Sequence, residues 1–294
     1  MTTQIEVQGH SGCDIRVARE NNQLYIYKST QDPKYFKRLV LQAEKQQKAS
    51  LPKMQFIRVP EIHSILETEH EVVVKMDYVY SRNFVEFFEK AGFEQVNYLI
   101  EALIMFLEKE IEDSTTFEIP SSIITEKFDD VKRKSLSNRF IVENGYKDAV
   151  AAIIREADII FKTLPENLSM PVGVCHGDLT FSNILFNGNN YYLIDFLDSF
   201  IESPLLDIVK IRQDTAWQWS RLMYSGSCDV IRLKIAFRKI DEKIHSHFNG
   251  KYNWYRSFYR PMQLMNFLRI LQYAHEPEVT EFLINALNSQ LNEL

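Results

Sequence analysis

Residues 174–198, "VCHGDLTFSNILFNGNNYYLIDFLD", carry a histidine, two carboxylates and an amide along two short apolar runs joined by an Asn-Gly turn. Runs of this length around Asn-Gly predict an antiparallel hairpin with strands over residues 184–186 and 191–194. A ribbon of that kind returns its ends to one place, so Asn183 at the start of one strand comes back beside Asp195 at the end of the other. A carboxylate and an amide oxygen held together suit a hard divalent ion such as Mg2+, which keeps the rest of its shell for water and phosphate. Asp178 lies just outside that pair, where it could accept a proton from a hydroxyl.

The rest of the chain divides by texture. Residues 1–80 read mostly as strands, since "IEVQ", "DIRVAR", "LYIYK", "HSILET" and "EVVVKMDY" are short β-branched or aromatic runs between polar turns. One helix interrupts them, opening at Asp32-Pro33 with Phe36, Leu39, Val40 and Ala43 as its apolar stripe. From about residue 83 the spacing turns helical in "FVEFFEK", "FEQVNYLIEALIMFLEKEI" and "YKDAVAAIIREADIIFKTL", and it is helical again from about 205 to the end. The expectation is an α+β fold with a small N-terminal antiparallel sheet over residues 1–80, a larger, mainly helical part over residues 81–294, and a hinge near residue 80.

An acid, an amide and a second acid in this order suit phosphoryl transfer, in which the protein positions groups and neutralises charge. Phosphates would need a lysine, and Lys28 closes "LYIYK", with Glu44 on the following helix as an acidic partner. A backbone cradle is expected at "GHSG", where Gly9 and Gly12 lie between the first two strands.

"HGDLTFSN" followed by "LIDF" resembles the HxDxxxxN and IDF signature of the aminoglycoside phosphotransferase and choline kinase superfamily, and "SPLLDIVK" resembles its Pro-x-x-Asp segment. The resemblance is specific over residues 174–210 and rests on order and spacing before them. It implies a two-lobed, protein-kinase-like fold that binds ATP and Mg2+. Carried over by position, it implies Asp178 as catalytic base, Asn183 and Asp195 as metal ligands, and Lys28 on the nucleotide phosphates, steadied by Glu44. Met76, Asp77, Tyr78 and Val79 would form the hinge that receives adenine. Where relatives have glycines after IDF, this chain has "DSFIESP", with Phe200 and Glu202. It also lacks a full GxGxxG, has Thr180 where protein kinases place lysine, and has no activation segment, which disfavours a protein substrate.

The polar remainder reads as structural. His176 is expected to brace the catalytic loop and Asp207 to anchor it, while His245 and His247 are assigned to a surface. Trp217, Trp219, Tyr252, Trp254, Tyr255, Phe258 and Tyr259 read first as helix packing and second as a ligand wall. A net charge of −6 opposes a nucleic-acid surface, and Cys13, Cys175 and Cys228 form no CxxC pair. With no signal core and no run of about eighteen apolar residues, the chain is expected to be cytoplasmic, without a membrane span.

The expected activity is therefore an ATP- and Mg2+-dependent phosphotransferase acting on a small-molecule hydroxyl. Resemblance leans towards a sugar or sugar-derived alcohol of surface-polysaccharide metabolism. Asp198, Glu202 and Asp214 also admit a cationic acceptor such as choline, ethanolamine or an aminoglycoside. A non-catalytic nucleotide-binding pseudokinase is the rival from another class.

Overall fold

The computed structural model describes residues 5–8, 13–50 and 55–293. The expected loop of Gly9 and Gly12 lies outside the described residues. Contacts divide the chain into two compact units, the first made of residues 1–109, 176–199 and 228–236, the second of 110–175, 200–227 and 237–294. The hinge expected near residue 80 falls inside the first unit. The fold class is α+β as anticipated, with a small antiparallel sheet early in the chain and a larger helical part after it.

The first unit opens with β1 (Ile5–Gln8), β2 (Asp14–Glu20) and β3 (Gln23–Thr30), followed by α1 (Pro33–Ala49), β4 (Ile57–Arg58), β5 (Ile62–Glu67) and β6 (Val72–Asp77). Five of these strands form an antiparallel sheet in the order β1-β2-β3-β6-β5. Asn21 and Asn22, both at positive φ, make the tight turn between β2 and β3, a backbone region that asparagine tolerates better than bulkier residues. Period-two alternation sorts β3: Ile26 and Lys28 line a cavity, whereas Tyr25 and Tyr27 meet Lys75 on the other face. Asp32 caps α1 through the Lys34 N–H, and Leu39 and Ala43 pack on Ile62, Val72 and Val74, so burial of one stripe fixes the helix against the sheet.

Next come α2 (Phe84–Lys90), which Asn83 and Glu86 close with a reciprocal capping box, and α3 (Phe93–Glu112). In the second unit β7 (Thr115–Pro120) pairs antiparallel with β8 (Asn167–Val172), and between them lie α4 (Ser122–Leu136), α5 (Arg139–Glu143) and α6 (Lys147–Lys162). The predicted hairpin is present as β9 (Ile184–Asn187) and β10 (Asn190–Leu193), with Gly188 at φ 58° in its two-residue turn and β4 added in parallel to β10.

Then follow α7 (Pro204–Thr215), α8 (Trp219–Leu222), α9 (Val230–Lys251), α10 (Asn253–Leu271) and α11 (Pro277–Glu293). Helix α10 packs on α4, α6, α7 and α11, and residues 261–268 are buried on every side, as a central helix must be. Tyr255, Phe258 and Tyr259 are core residues, in line with the packing expectation, while Trp217, Trp219, Tyr252 and Trp254 are half-buried. Cys13, Cys175 and Cys228 form no disulfide, and among the described residues no helix is long and apolar enough to cross a membrane.

Candidate active site

The hairpin delivers its polar residues with an offset of one from the expected register. Leu193 opposes Ile184 and the Ile194 N–H donates to the Asn183 carbonyl at 3.1 Å, so Ile194, not Asp195, lies opposite Asn183. Asp195 then leaves the strand at φ 59°, a left-handed conformation that aspartate accepts more readily than a branched residue. Its carboxylate Oδ1 receives the Lys28 ammonium at 2.7 Å, a contact 167 residues apart in sequence. The Lys28 side chain is buried and the Asp195 side chain is 44% exposed, so one end of the pair is shielded and the other open to ligand.

Asp178 and Asn183 are also joined. The Asn183 amide nitrogen donates to the Asp178 carbonyl at 2.8 Å and to its Oδ2 at 3.1 Å. Because the nitrogen is engaged, the amide oxygen is left as an acceptor. The residues therefore fit Mg2+ by donor chemistry: the Asn183 oxygen and the Asp195 carboxylate are hard ligands of the type the ion prefers. Among the described residues no three His, Cys, Asp or Glu side chains gather into a metal cage.

His176 holds this loop in shape. It is fully buried, its Nε2 bonds the Ile194 carbonyl at 2.8 Å and its Nδ1 accepts from the Asp178 N–H at 3.2 Å, which assigns the neutral Nε2–H tautomer. The Phe196 ring packs on it at 4.3 Å, and the Leu197 N–H donates to the His176 carbonyl at 2.9 Å. Gly177 has φ 85°, and a Cβ there would stand 1.9 Å from the Leu197 carbonyl oxygen, so glycine alone permits this approach.

A cavity of about 290 Å3 lies within the first unit, and Asp178 and Asn183 are not among its lining residues. Lys28 and Asp195 line it at one side, and Met76, Asp77, Tyr78 and Val79 line it at another. The Asp77 N–H donates to the Glu61 carbonyl and the Tyr78 N–H to the Leu24 carbonyl, whereas the Val79 N–H meets no backbone acceptor among the described residues. The Asp77 carboxylate is taken up by His63 at 2.7 Å.

Glu44 is a correction. It is exposed on α1 and does not meet Lys28, whose partner is Asp195. At about 100° per residue, Glu44 lies roughly 140° around the helix from Leu39, while Gln42, Ala43 and Gln46 fall on the cavity side with it. Counted from Leu39, the most buried residue of the stripe, the position two turns on that faces the cavity is Gln46. Asp214 is likewise not available to an acceptor, since it is fully buried with its oxygens on the Ser220 N–H and hydroxyl at 2.7 and 2.8 Å. His245 is half-buried and bonded to Arg212 and Tyr255 rather than lying at a surface. Asp207 is fully buried in the first turn of α7. Lys45 went unnoticed in the sequence: it is buried and donates to the Leu197 carbonyl at 2.5 Å.

Residues 50–224 match the phosphotransferase enzyme family, and the chain belongs to it. No curated protein matches the sequence. Among solved structures, the GDP and kanamycin complex of the aminoglycoside phosphotransferase APH(2")-IIIa is 13% identical, covers 99% of this chain and 93% of that one, and superposes with a TM-score of 0.63. Aminoglycoside phosphotransferase APH(4)-Ia is 10% identical over 99% and 93% of the two chains, at 0.62. A candidate fructosamine-3-kinase from Haemophilus somnus 129PT is 13% identical over 98% and 92%, at 0.56. Likeness at this level is a likeness of fold.

Proposed function

We propose that the chain is an ATP- and Mg2+-dependent kinase that transfers the γ-phosphoryl group to a hydroxyl of a small molecule. The observation that carries this reading is the 2.7 Å contact of Lys28 with Asp195 in a cavity that Met76, Asp77, Tyr78 and Val79 also line. A buried ammonium paired with an open carboxylate is suited to exchange that partner for nucleotide phosphates. The Val79 N–H would receive the purine edge, and the apolar walls, Ile15, Val17, Ile26 and Ile194 among them, would enclose the base. Asn183 and Asp195 would hold Mg2+, which supplies charge neutralisation to the triphosphate when bound.

Asp178 acts as the base in this reading. The acceptor hydroxyl gives its proton to Asp178 as the new O–P bond forms and the bond from the γ-phosphorus to the ADP oxygen breaks, leaving ADP and a phosphomonoester. Asn183 holds that carboxylate and His176 holds the backbone N–H of the same residue, which is the positioning on which such a reaction depends. Nucleotide use in the superposed proteins accords with the reading, since structures of them contain ADP, AMP-PNP or GDP.

A sugar or sugar-derived alcohol is the acceptor we favour. The buried Asp214 removes one of the acids on which a cationic acceptor such as choline would rely, whereas the kanamycin, hygromycin B and spectinomycin held by superposed phosphotransferases are amine-bearing and make aminoglycosides the rival acceptor. The test is Mg2+-dependent ATP consumption with sugars, amino alcohols and aminoglycosides. Turnover confined to sugars supports the favoured acceptor, turnover with choline or aminoglycosides replaces it, and binding of ATP without turnover on any acceptor defeats the kinase reading.

A further inference from the structure

Given the kinase reading of the first unit's cavity, on which this inference rests, we propose that Gln46 selects the nucleotide base, favouring a purine with a 6-amino group over one with a 6-oxo group. Gln46 stands late in α1, is 5% exposed, and lines the cavity that Lys28, Asp195 and the hinge residues also line. Its amide is held one way round. The Nε2 donates to the Pro60 carbonyl at 3.0 Å and lies 3.8 Å from the Met76 sulfur. A carbonyl oxygen only accepts, so the nitrogen must face Pro60 and the Oε1 must face away from it. That oxygen takes no hydrogen bond from any group among the described residues. It is also not one of the sealed, unpaired atoms of the interior, so it borders open space, and the open space beside Gln46 is the cavity.

What this oxygen would meet follows from its neighbours. Met76, against which the amide lies, directly precedes the hinge residues Asp77, Tyr78 and Val79. The charged side chains of the cavity are committed, Asp77 to His63 and Lys28 to Asp195. Gln42 lines the cavity too, but it is less buried and no bond fixes its amide, so it presents no fixed polarity. The cavity therefore offers a backbone donor, the Val79 N–H, and a fixed side-chain acceptor, Gln46 Oε1. Adenine carries the complementary pair on neighbouring atoms, with N1 an acceptor and the N6 amine a donor. Guanine reverses both, so its O6 would set one lone pair against another at Gln46. The apolar walls formed by Ile15, Val17 and Ile26 cannot make this distinction, because the two purines present the same faces to them. A site built to bond a ligand N–H rejects an analogue that lacks it, since the buried acceptor is then left unpaired.

The test is calorimetric titration of the intact protein, with no acceptor present, using the Mg2+ complexes of ATP, GTP and purine riboside triphosphate. The last keeps N1 and lacks the amine. Native protein is expected to bind ATP about ten-fold or more tightly than GTP, and about five-fold or more tightly than purine riboside triphosphate. Gln46→Met keeps the length of the side chain and removes its polar atoms, and both preferences should shrink about five-fold in it. Gln47→Met, on the exposed face of the same helix, should keep the native ratios. Circular dichroism checks that each variant is folded, and if Gln46→Met is not, the native ratios alone decide. Equal affinity of native protein for ATP and GTP, or for ATP and purine riboside triphosphate, would overturn the proposal, as would native ratios in folded Gln46→Met. The kinase reading survives any of these results, because Mg2+–ATP still binds; binding of none of the three nucleotides would overturn both.

Discussion

Lys28 and Glu44 show how a single residue's neighbours decide its role. Lys28 is legible in the sequence because strand alternation in "LYIYK" puts Ile26 and Lys28 on one face, and the cavity lies on that face. Glu44 is not, because a helix of 3.6 residues per turn places it on the exposed side of α1 once Leu39 is taken as the centre of the buried stripe. Removing it should therefore change little. Glu44→Ala is expected to leave nucleotide affinity within two-fold, with stability within the roughly 0.5 kcal/mol typical of surface substitutions, whereas Lys28→Met should weaken nucleotide binding at least ten-fold. Isothermal titration of both variants with ATP and Mg2+ checks this; an equal loss in the two would restore the expected ion pair.

At the scale of elements, α1 and the β9–β10 hairpin carry the site. Their existence could be read from the Asp-Pro start, the helical stripe and the Asn-Gly turn, since each is a local signal. What ties them together could not be read, because Lys45 donates to the Leu197 carbonyl across 152 residues of sequence. A lysine in a helix rich in Lys and Gln reads as solvated until tertiary structure buries it. That bond fixes the segment following Asp195 to the helix that walls the cavity. Lys45→Met is expected to lower kcat/KM for nucleotide about ten-fold, in keeping with about 1.5–3 kcal/mol for a hydrogen bond from a charged donor, while far-ultraviolet circular dichroism stays unchanged. A variant with native kinetics would show that the segment holds its position without the lysine.

Over the whole molecule, the second unit gathers a charged network that no short stretch of sequence reveals. Arg212, Asp241, His245 and Tyr255 come from three helices, with burial holding the Tyr255 hydroxyl up to a pKa of about 12. His245 faces Arg212, Asp241, Tyr255 and Arg260, and its pKa lies below the ordinary value through burial first and the Arg212 charge second. The unfolded chain then binds this proton more readily than the folded one. The stability that His245 contributes is thus present above about pH 6.5 and is lost as pH falls below it. Melting temperature should decline between pH 7 and pH 5.5, and the decline should be shallower in His245→Gln; equal slopes would show that the titration lies elsewhere.

The central claim, that Asp178 takes the proton of an acceptor hydroxyl during phosphoryl transfer, is tested most directly by following γ-32P from ATP onto the acceptor found in the panel, with native protein and Asp178→Asn side by side. The native protein should label the acceptor only with Mg2+ present. Asp178→Asn should label it at least 100-fold more slowly while binding ATP with near-native affinity, the size of effect expected from loss of a general base. Labelling at the native rate by Asp178→Asn would contradict the account.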